Sequence, residues 1–187
     1  MNVINLFTDF LLQDYIDYDY NPIIEYANSM CDIDSTRYSS RGGWQSTKYT
    51  NTDATPYGKL VDIAIEKIEE KISCNLYLGN YWLNICPTNG YNITHRHPGA
   101  QLAGVIYISV PSDSNADIFF EREDYHESYR IDSLVEKTDN PYFSCTYNYT
   151  PKQGDCLVFP GYLKHGVEAN QSKETRISLS FNLEVNR

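Results

Sequence analysis

The spacing of apolar positions changes once along the chain. In PYGKLVDIAIEKIEEKIS, residues 56–73, Val61, Ala64, Ile65, Ile68 and Ile72 recur at helical spacing. Asp62, Glu66, Lys67, Glu69, Glu70 and Lys71 face away from them, which predicts an amphipathic helix laid on a sheet. A shorter helix is expected earlier, because Asn21-Pro22, like Thr55-Pro56, sets a capping side chain before a proline suited to the first helical position. From Asn80 onward the period becomes two. Runs rich in aromatic and β-branched residues (YWLNIC, LAGVIYISV, ADIFFE, YFSCTYNY, DCLVFP and RISLSFNLEV) are separated by Pro, Gly, Asn and Asp clusters. Helices first and strands afterwards, without βαβ alternation, predict a mainly β chain built as an antiparallel sandwich or jelly roll. The stretch EREDYHESYRIDSLVEKTDN between two of the strands is polar and reads as a surface loop or insertion.

At 187 residues the chain has room for one well-buried core, so a single domain over 1–187 is expected, with 1–75 as helical support and 76–187 as the strand core. The net charge of −10 and the absence of a basic stripe oppose binding along a nucleic-acid backbone. Cys31, Cys74, Cys86, Cys145 and Cys156 are odd in number, far apart and form no Cys-x-x-Cys pair, so neither a disulfide framework nor a thiolate metal site is indicated. The start, MNVINLFTDFLLQDYIDYDY, has no basic leader region, and no apolar run is long enough to span a bilayer. A reducing, cytoplasmic setting fits best.

The chemistry concentrates in THRHPGAQLAGVIYISV, residues 94–110. In an extended segment His95 and His97 share a face, with Cβ atoms roughly 7 Å apart, a chelating distance. A third imidazole, His165, follows the apolar run DCLVFP and is expected at the tip of a short turn. Three protein ligands that leave positions open suit a catalytic metal, whereas a closed four-ligand shell would be structural. The last strand, RISLSFNLEV, sets Arg176, Ser178, Ser180 and Asn182 on one face, which either lines a polar site or looks into solvent on an outer strand. Arg176 with Ser178 offers a guanidinium fork and a hydroxyl, a cradle for a carboxylate worth about 1.5–3 kcal/mol per charge-assisted contact.

With these residues together, the pattern resembles the Fe(II)- and 2-oxoglutarate-dependent oxygenase superfamily, in which a His-x-Asp pair, a distal His and a later Arg-x-Ser lie on a double-stranded β-helix. More narrowly, HRHPGAQLAGVIYI, GDCLVFPGYLKHGV and ETRISLSFN are similar to a small group of such oxygenases met in bacteria and phages. The resemblance covers about residues 80–183, with GGWQS at 42–46 as a weaker extension. It implies a cupin-like jelly roll with supporting N-terminal helices. Fe(II) would be held by His95, His97 and His165, and 2-oxoglutarate would chelate it through one carboxylate and the keto oxygen. The far carboxylate would pair with Arg176 and Ser178, with Tyr107 and Asn84 as weaker candidates to hydrogen-bond this co-substrate. Dioxygen would take the remaining position, and oxidative decarboxylation to succinate and carbon dioxide would drive oxidation, in the first place hydroxylation, of a small-molecule or protein side-chain substrate.

One departure matters. Where the superfamily has a carboxylate, this chain has His97, which leaves the site one negative charge poorer. Either His97 is a true ligand, or it stands behind His95 and His165, or a carboxylate such as Asp117 completes the set. His126, amid charges in the polar insertion, is expected at the surface. Three other functions fit parts of the pattern. A cupin-type enzyme or binding protein without 2-oxoglutarate would make Arg176 incidental; zinc hydrolysis would need a general base that is not identifiable; an interaction module would use the seventeen tyrosines as contact surface.

Overall fold

The computed structural model describes residues 9–30, 38–122 and 144–185. Six strands form one antiparallel sheet in the order β1 (Leu12–Tyr15), β9 (Asp155–Pro160), β6 (Leu102–Ser109), β11 (Arg176–Val185), β4 (Leu76–Cys86) and β3 (Trp44–Gln45). Five form a second: β2 (Ser40–Arg41), β5 (Tyr91–His95), β10 (Lys164–Val167), β7 (Ile118–Glu121) and β8 (Thr146–Tyr149). All pairings are antiparallel, as the jelly-roll expectation requires.

The unbroken apolar run of β6 has a simple cause: both of its faces are buried. Leu102, Ile106 and Ile108 join Ile177, Leu179, Phe181 and Leu183 of β11 in a core that also takes Ile23 and Ala27 of α1 (Asn21–Ser29) and Leu60, Val61, Ala64 and Ile68 of α2 (Gly58–Ile72). The alternate residues Ala103, Val105 and Tyr107 pack with Ile118, Phe120, Leu157 and Phe159 between the sheets. At about 1.5–3 kcal/mol for each large side chain buried, β11 is held firmly by its outer face, which frees its inner face to carry polar groups. Phe181 lies directly across from Gly104, and a Cβ there would fall 2.2 Å from the Phe181 ring. Gly104→Ala is therefore expected to overpack this contact and cost about 1–3 kcal/mol, read as a lower urea midpoint at unchanged slope.

Several elements depart from the sequence expectation. The first 75 residues are not purely helical support: β1 adds an edge to the large sheet and β2 and β3 close one end of both. Neither proline dipeptide caps its helix. Asn21 is already helical, behind Tyr20, and its side-chain amide donates to Asp19 Oδ1 at 2.9 Å. α2 starts two residues beyond Pro56, because the short 3₁₀ turn Thr52–Ala54 packs on its first residue, where a Cβ at Gly58 would lie 1.9 Å from the Thr52 carbonyl oxygen. Thr55 instead shares a hydrogen bond of 2.9 Å with the Tyr81 hydroxyl. The polar insertion lies, from residue 123 on, outside the described residues, and His126 and Cys31 with it. Among the described residues no helix is long and apolar enough to cross a membrane.

Candidate metal centre and pocket

His165 is not at the tip of a turn. It sits in β10, directly across from His95 at the end of β5, so cross-strand pairing alone sets both imidazoles on one face. His97 lies past the strand end, in a turn pinned by its own backbone: its N–H donates to the Gly161 carbonyl at 2.8 Å and its carbonyl accepts from Ala100 N–H at 3.1 Å. The ring centroids stand 4.4 Å (His95 to His165), 5.1 Å (His97 to His165) and 5.2 Å (His95 to His97) apart. One nitrogen from each ring lies within 4.8 Å of the other two. That is little more than twice a metal–imidazole bond of about 2.1 Å. Among the described residues no carboxylate, Asp117 included, belongs to this cluster.

The hydrogen bonds decide which nitrogens face inward. His95 Nδ1 and His165 Nδ1 each lie 2.8 Å from the carbonyl oxygen two residues earlier, Ile93 and Leu163. A carbonyl can only accept, so each Nδ1 carries the proton and each Nε2 keeps a free lone pair. His97 Nδ1 is bonded at 2.5 Å to Asn182 Oδ1, whose amide nitrogen donates in turn to Asn80 Oδ1 at 3.1 Å. His97 Nε2 is buried and meets no protein partner. Burial, first, and mutual repulsion push His165 down to about 3. Burial likewise pushes His97 down to about 4, and it lowers His95. Three neutral imidazoles with inward lone pairs fit a divalent metal without any proton to displace. Phe159 meets the His165 ring edge-on at 4.6 Å and Trp82 stacks on His97 at 5.8 Å, so one side of the centre is apolar.

β11 is a central strand between β4 and β6, and its polar residues line the space between the sheets rather than solvent. Arg176 is 3% exposed. Its Nη1 donates to the Ala116 carbonyl at 3.0 Å, which fixes the plane of the fork, while its buried Nε has no partner. Ser178, Asn84 and Tyr107 form one cross-strand row beside it. Tyr107 is buried, which raises its pKa and keeps it neutral. Asn84 lines the same pocket, but its amide is engaged by the protein: Oδ1 accepts from Gln45 Nε2 (2.8 Å) and Trp82 Nε1 (3.1 Å), and Nδ2 donates to Ser180 Oγ (2.9 Å). Gln45 belongs to GGWQS, so that segment helps build the pocket wall through β3. Asn182 as the partner of His97 was not legible as such; alternation along β11 put it on the polar face and nothing closer identified it.

These features define a double-stranded β-helix with a three-histidine centre and an arginine-bearing pocket between its sheets. The sequence model of one protein family, described as "Putative 2OG-Fe(II) oxygenase", matches residues 80–182. The chain belongs to this family, and with it to the enzymes that use Fe(II) and 2-oxoglutarate to oxidise a substrate. No curated protein matches in sequence. Among solved structures the chain is similar to a prolyl-4-hydroxylase of Pseudomonas putida (TM-score 0.63, 10% identity, 96% of this chain and 95% of that one). It is similar also to the α-ketoglutarate-dependent epimerase SnoN of nogalamycin biosynthesis (0.64, 13%, 94% and 76%). A third is HygX of Streptomyces hygroscopicus with nickel and 2-oxoglutarate bound (0.60, 12%, 92% and 82%). At these identities the likeness is one of fold.

Proposed function

We propose that His95, His97 and His165 hold Fe(II) through their Nε2 atoms, and that Arg176 with Ser178 grips the far carboxylate of 2-oxoglutarate. The reaction is then the hydroxylation of a small molecule or a protein side chain. The single observation that carries the assignment is the buried Arg176 fork. Among the described residues no carboxylate pairs with this guanidinium, whose Nε is unsatisfied at 3% exposure; burying such a charge costs several kcal/mol, and an anion in the pocket relieves that penalty. A cupin that does not use 2-oxoglutarate has no need of it.

When bound, the metal with its co-substrate supplies dioxygen activation and the oxidising equivalents. The chain does the rest. The carbonyls of Ile93 and Leu163 and the Asn182 amide hold three imidazoles in one tautomer, with their lone pairs converging. Arg176 and Ser178 orient the dicarboxylate from the opposite end of the inner face. Tyr107, neutral and beside that row, offers a hydroxyl to the co-substrate, while Asn84 stiffens the wall. Phe159 and Phe120 shield the centre from water behind His165. The free Cys74, Cys86 and Cys156 fit a reducing cytoplasm.

Anaerobic addition of 2-oxoglutarate to the Fe(II)-loaded protein is expected to raise a visible metal-to-ligand charge-transfer band that saturates with one co-substrate per iron. A featureless titration would remove 2-oxoglutarate from the site.

A further inference from the structure

Among the described residues the pocket is lined without acid, in an acid-rich protein. The chain carries 25 Asp and Glu against 15 Lys and Arg, yet the described residues lining the pocket include neither Asp nor Glu. Its polar wall is made of neutral groups, among them Ser39, Gln45, Asn84, Asn92 and Ser180. Among the described residues that line it, Arg176 brings the formal charge. Just outside the lining, the exposed Lys48 ammonium lies 4.6 Å from the Tyr38 ring centroid and 4.7 Å from that of Trp82, which is itself a lining residue.

Lys48 differs from Lys67 and Lys164. Lys67 pairs with Asp14 at 2.9 Å and Lys164 pairs with Glu121, whereas among the described residues Lys48 has no carboxylate partner, only aromatic faces. Desolvation lowers its pKa, with no anion to offset it. Lys48 and Tyr38 are exposed, while the Trp82 ring between them and the pocket is buried and anchored. Trp82 stacks on His97 and is fixed by its indole N–H on Asn84, and the Tyr38 backbone N–H donates to Gln45 Oε1 at 3.1 Å, in the same amide network.

Register shows that this is not the co-substrate's place. Trp82 stands across from Ser180, and Arg176 across from Cys86, four residues along the same strand. At about 3.3 Å per residue the two ends are roughly 13 Å apart. A 2-oxoglutarate held between the histidines and Arg176 extends away from Trp82 and leaves the Lys48 end open.

We propose that Lys48, on its Tyr38–Trp82 platform, is the anchor for a carboxylate of the prime substrate, so that the enzyme oxidises a small carboxylic acid held by its acid group at the pocket rim. This rests on the oxygenase assignment for the fate of the substrate but not for its binding.

The test is titration of the metal-free protein with benzoate, followed by tryptophan fluorescence, with benzamide as the neutral match. Saturable benzoate binding at least tenfold tighter than benzamide is expected, weakened tenfold or more in Lys48→Met and kept within about threefold in Lys48→Arg. Equal binding of the two probes, no saturable binding of benzoate, or binding insensitive to Lys48→Met but lost in Arg176→Ala each overturn the proposal. The charge-transfer band is read separately on the Fe(II)-loaded parent, so its failure strikes the oxygenase assignment and leaves the fluorescence result to judge Lys48.

Discussion

Arg176→Ala is expected to raise the dissociation constant of 2-oxoglutarate by two orders of magnitude or more while iron content stays the same. The fork supplies charge-assisted contacts of about 1.5–3 kcal/mol each, which the remaining Ser178 hydroxyl cannot replace, and a factor of ten corresponds to about 1.4 kcal/mol. Arg176 touches none of the three imidazoles, so the metal has no reason to leave. Arg176→Lys is expected to fall between parent and Ala, since an ammonium keeps the charge but loses both the planar fork and the Nη1 anchor on the Ala116 carbonyl. Stability should move the other way. In the protein without co-substrate the guanidinium is buried with its Nε unpaired, and Arg176→Met removes that charge at similar length. The loss of one hydrogen bond to Ala116 is smaller than the desolvation relieved, so a stability gain on the order of 1 kcal/mol is expected, read as a higher urea midpoint. Titrations of the charge-transfer band and urea melts of the same three variants check both signs. An Arg176→Ala protein that binds 2-oxoglutarate like the parent would return the pocket to the cupin class.

What was legible from the sequence follows what alternation and spacing can encode. β11 declared both of its faces, because Ile177, Leu179, Phe181 and Leu183 interleave with Arg176, Ser178, Ser180 and Asn182, and both sets kept their grouping in the fold. Whether the polar set met solvent or a cavity was not readable, since that depends on β11 being central, a property of pairing and not of the strand itself. The strand around His165 was hidden because Lys164–Val167 is four residues long with a glycine inside, below the length at which alternation is visible. β1, β2 and β3 are short for the same reason. The helix starts were misplaced because a side chain before a proline caps only when its oxygen is free, and Thr55 is committed to Tyr81. Lys48 carried no local signal at all: its neighbours Tyr38 and Trp82 are ten and thirty-four positions away in the chain.

His97→Ala is expected to lose at least a hundredfold in Fe(II) affinity, and the size of that loss is tied to a residue 85 positions away. Asn182 accepts the His97 Nδ1 proton, and removal of a group that orients a ligand imidazole ordinarily costs ten- to a hundredfold in metal affinity. Asn182→Ala should therefore weaken iron by that amount, about 1.4–2.7 kcal/mol, in the parent and by almost nothing in the His97→Ala background, because its effect passes through the ring. Iron binding that is unchanged in His97→Ala would leave His95 and His165 as the metal's protein ligands. Asn182→Asp carries the same geometry further. Among the described residues the centre has no carboxylate, and an aspartate at 182 would set one negative charge a single hydrogen bond behind the metal, raising the basicity of the His97 Nε2 lone pair. The Asn80 amide, now at 3.1 Å from Asn182 Nδ2, can turn its own N–H toward the second carboxylate oxygen, so the new charge is not left bare. Tighter Fe(II) binding in Asn182→Asp, abolished by His97→Ala, is the result that a ligating His97 requires, and iron titration of the four combinations measures it directly.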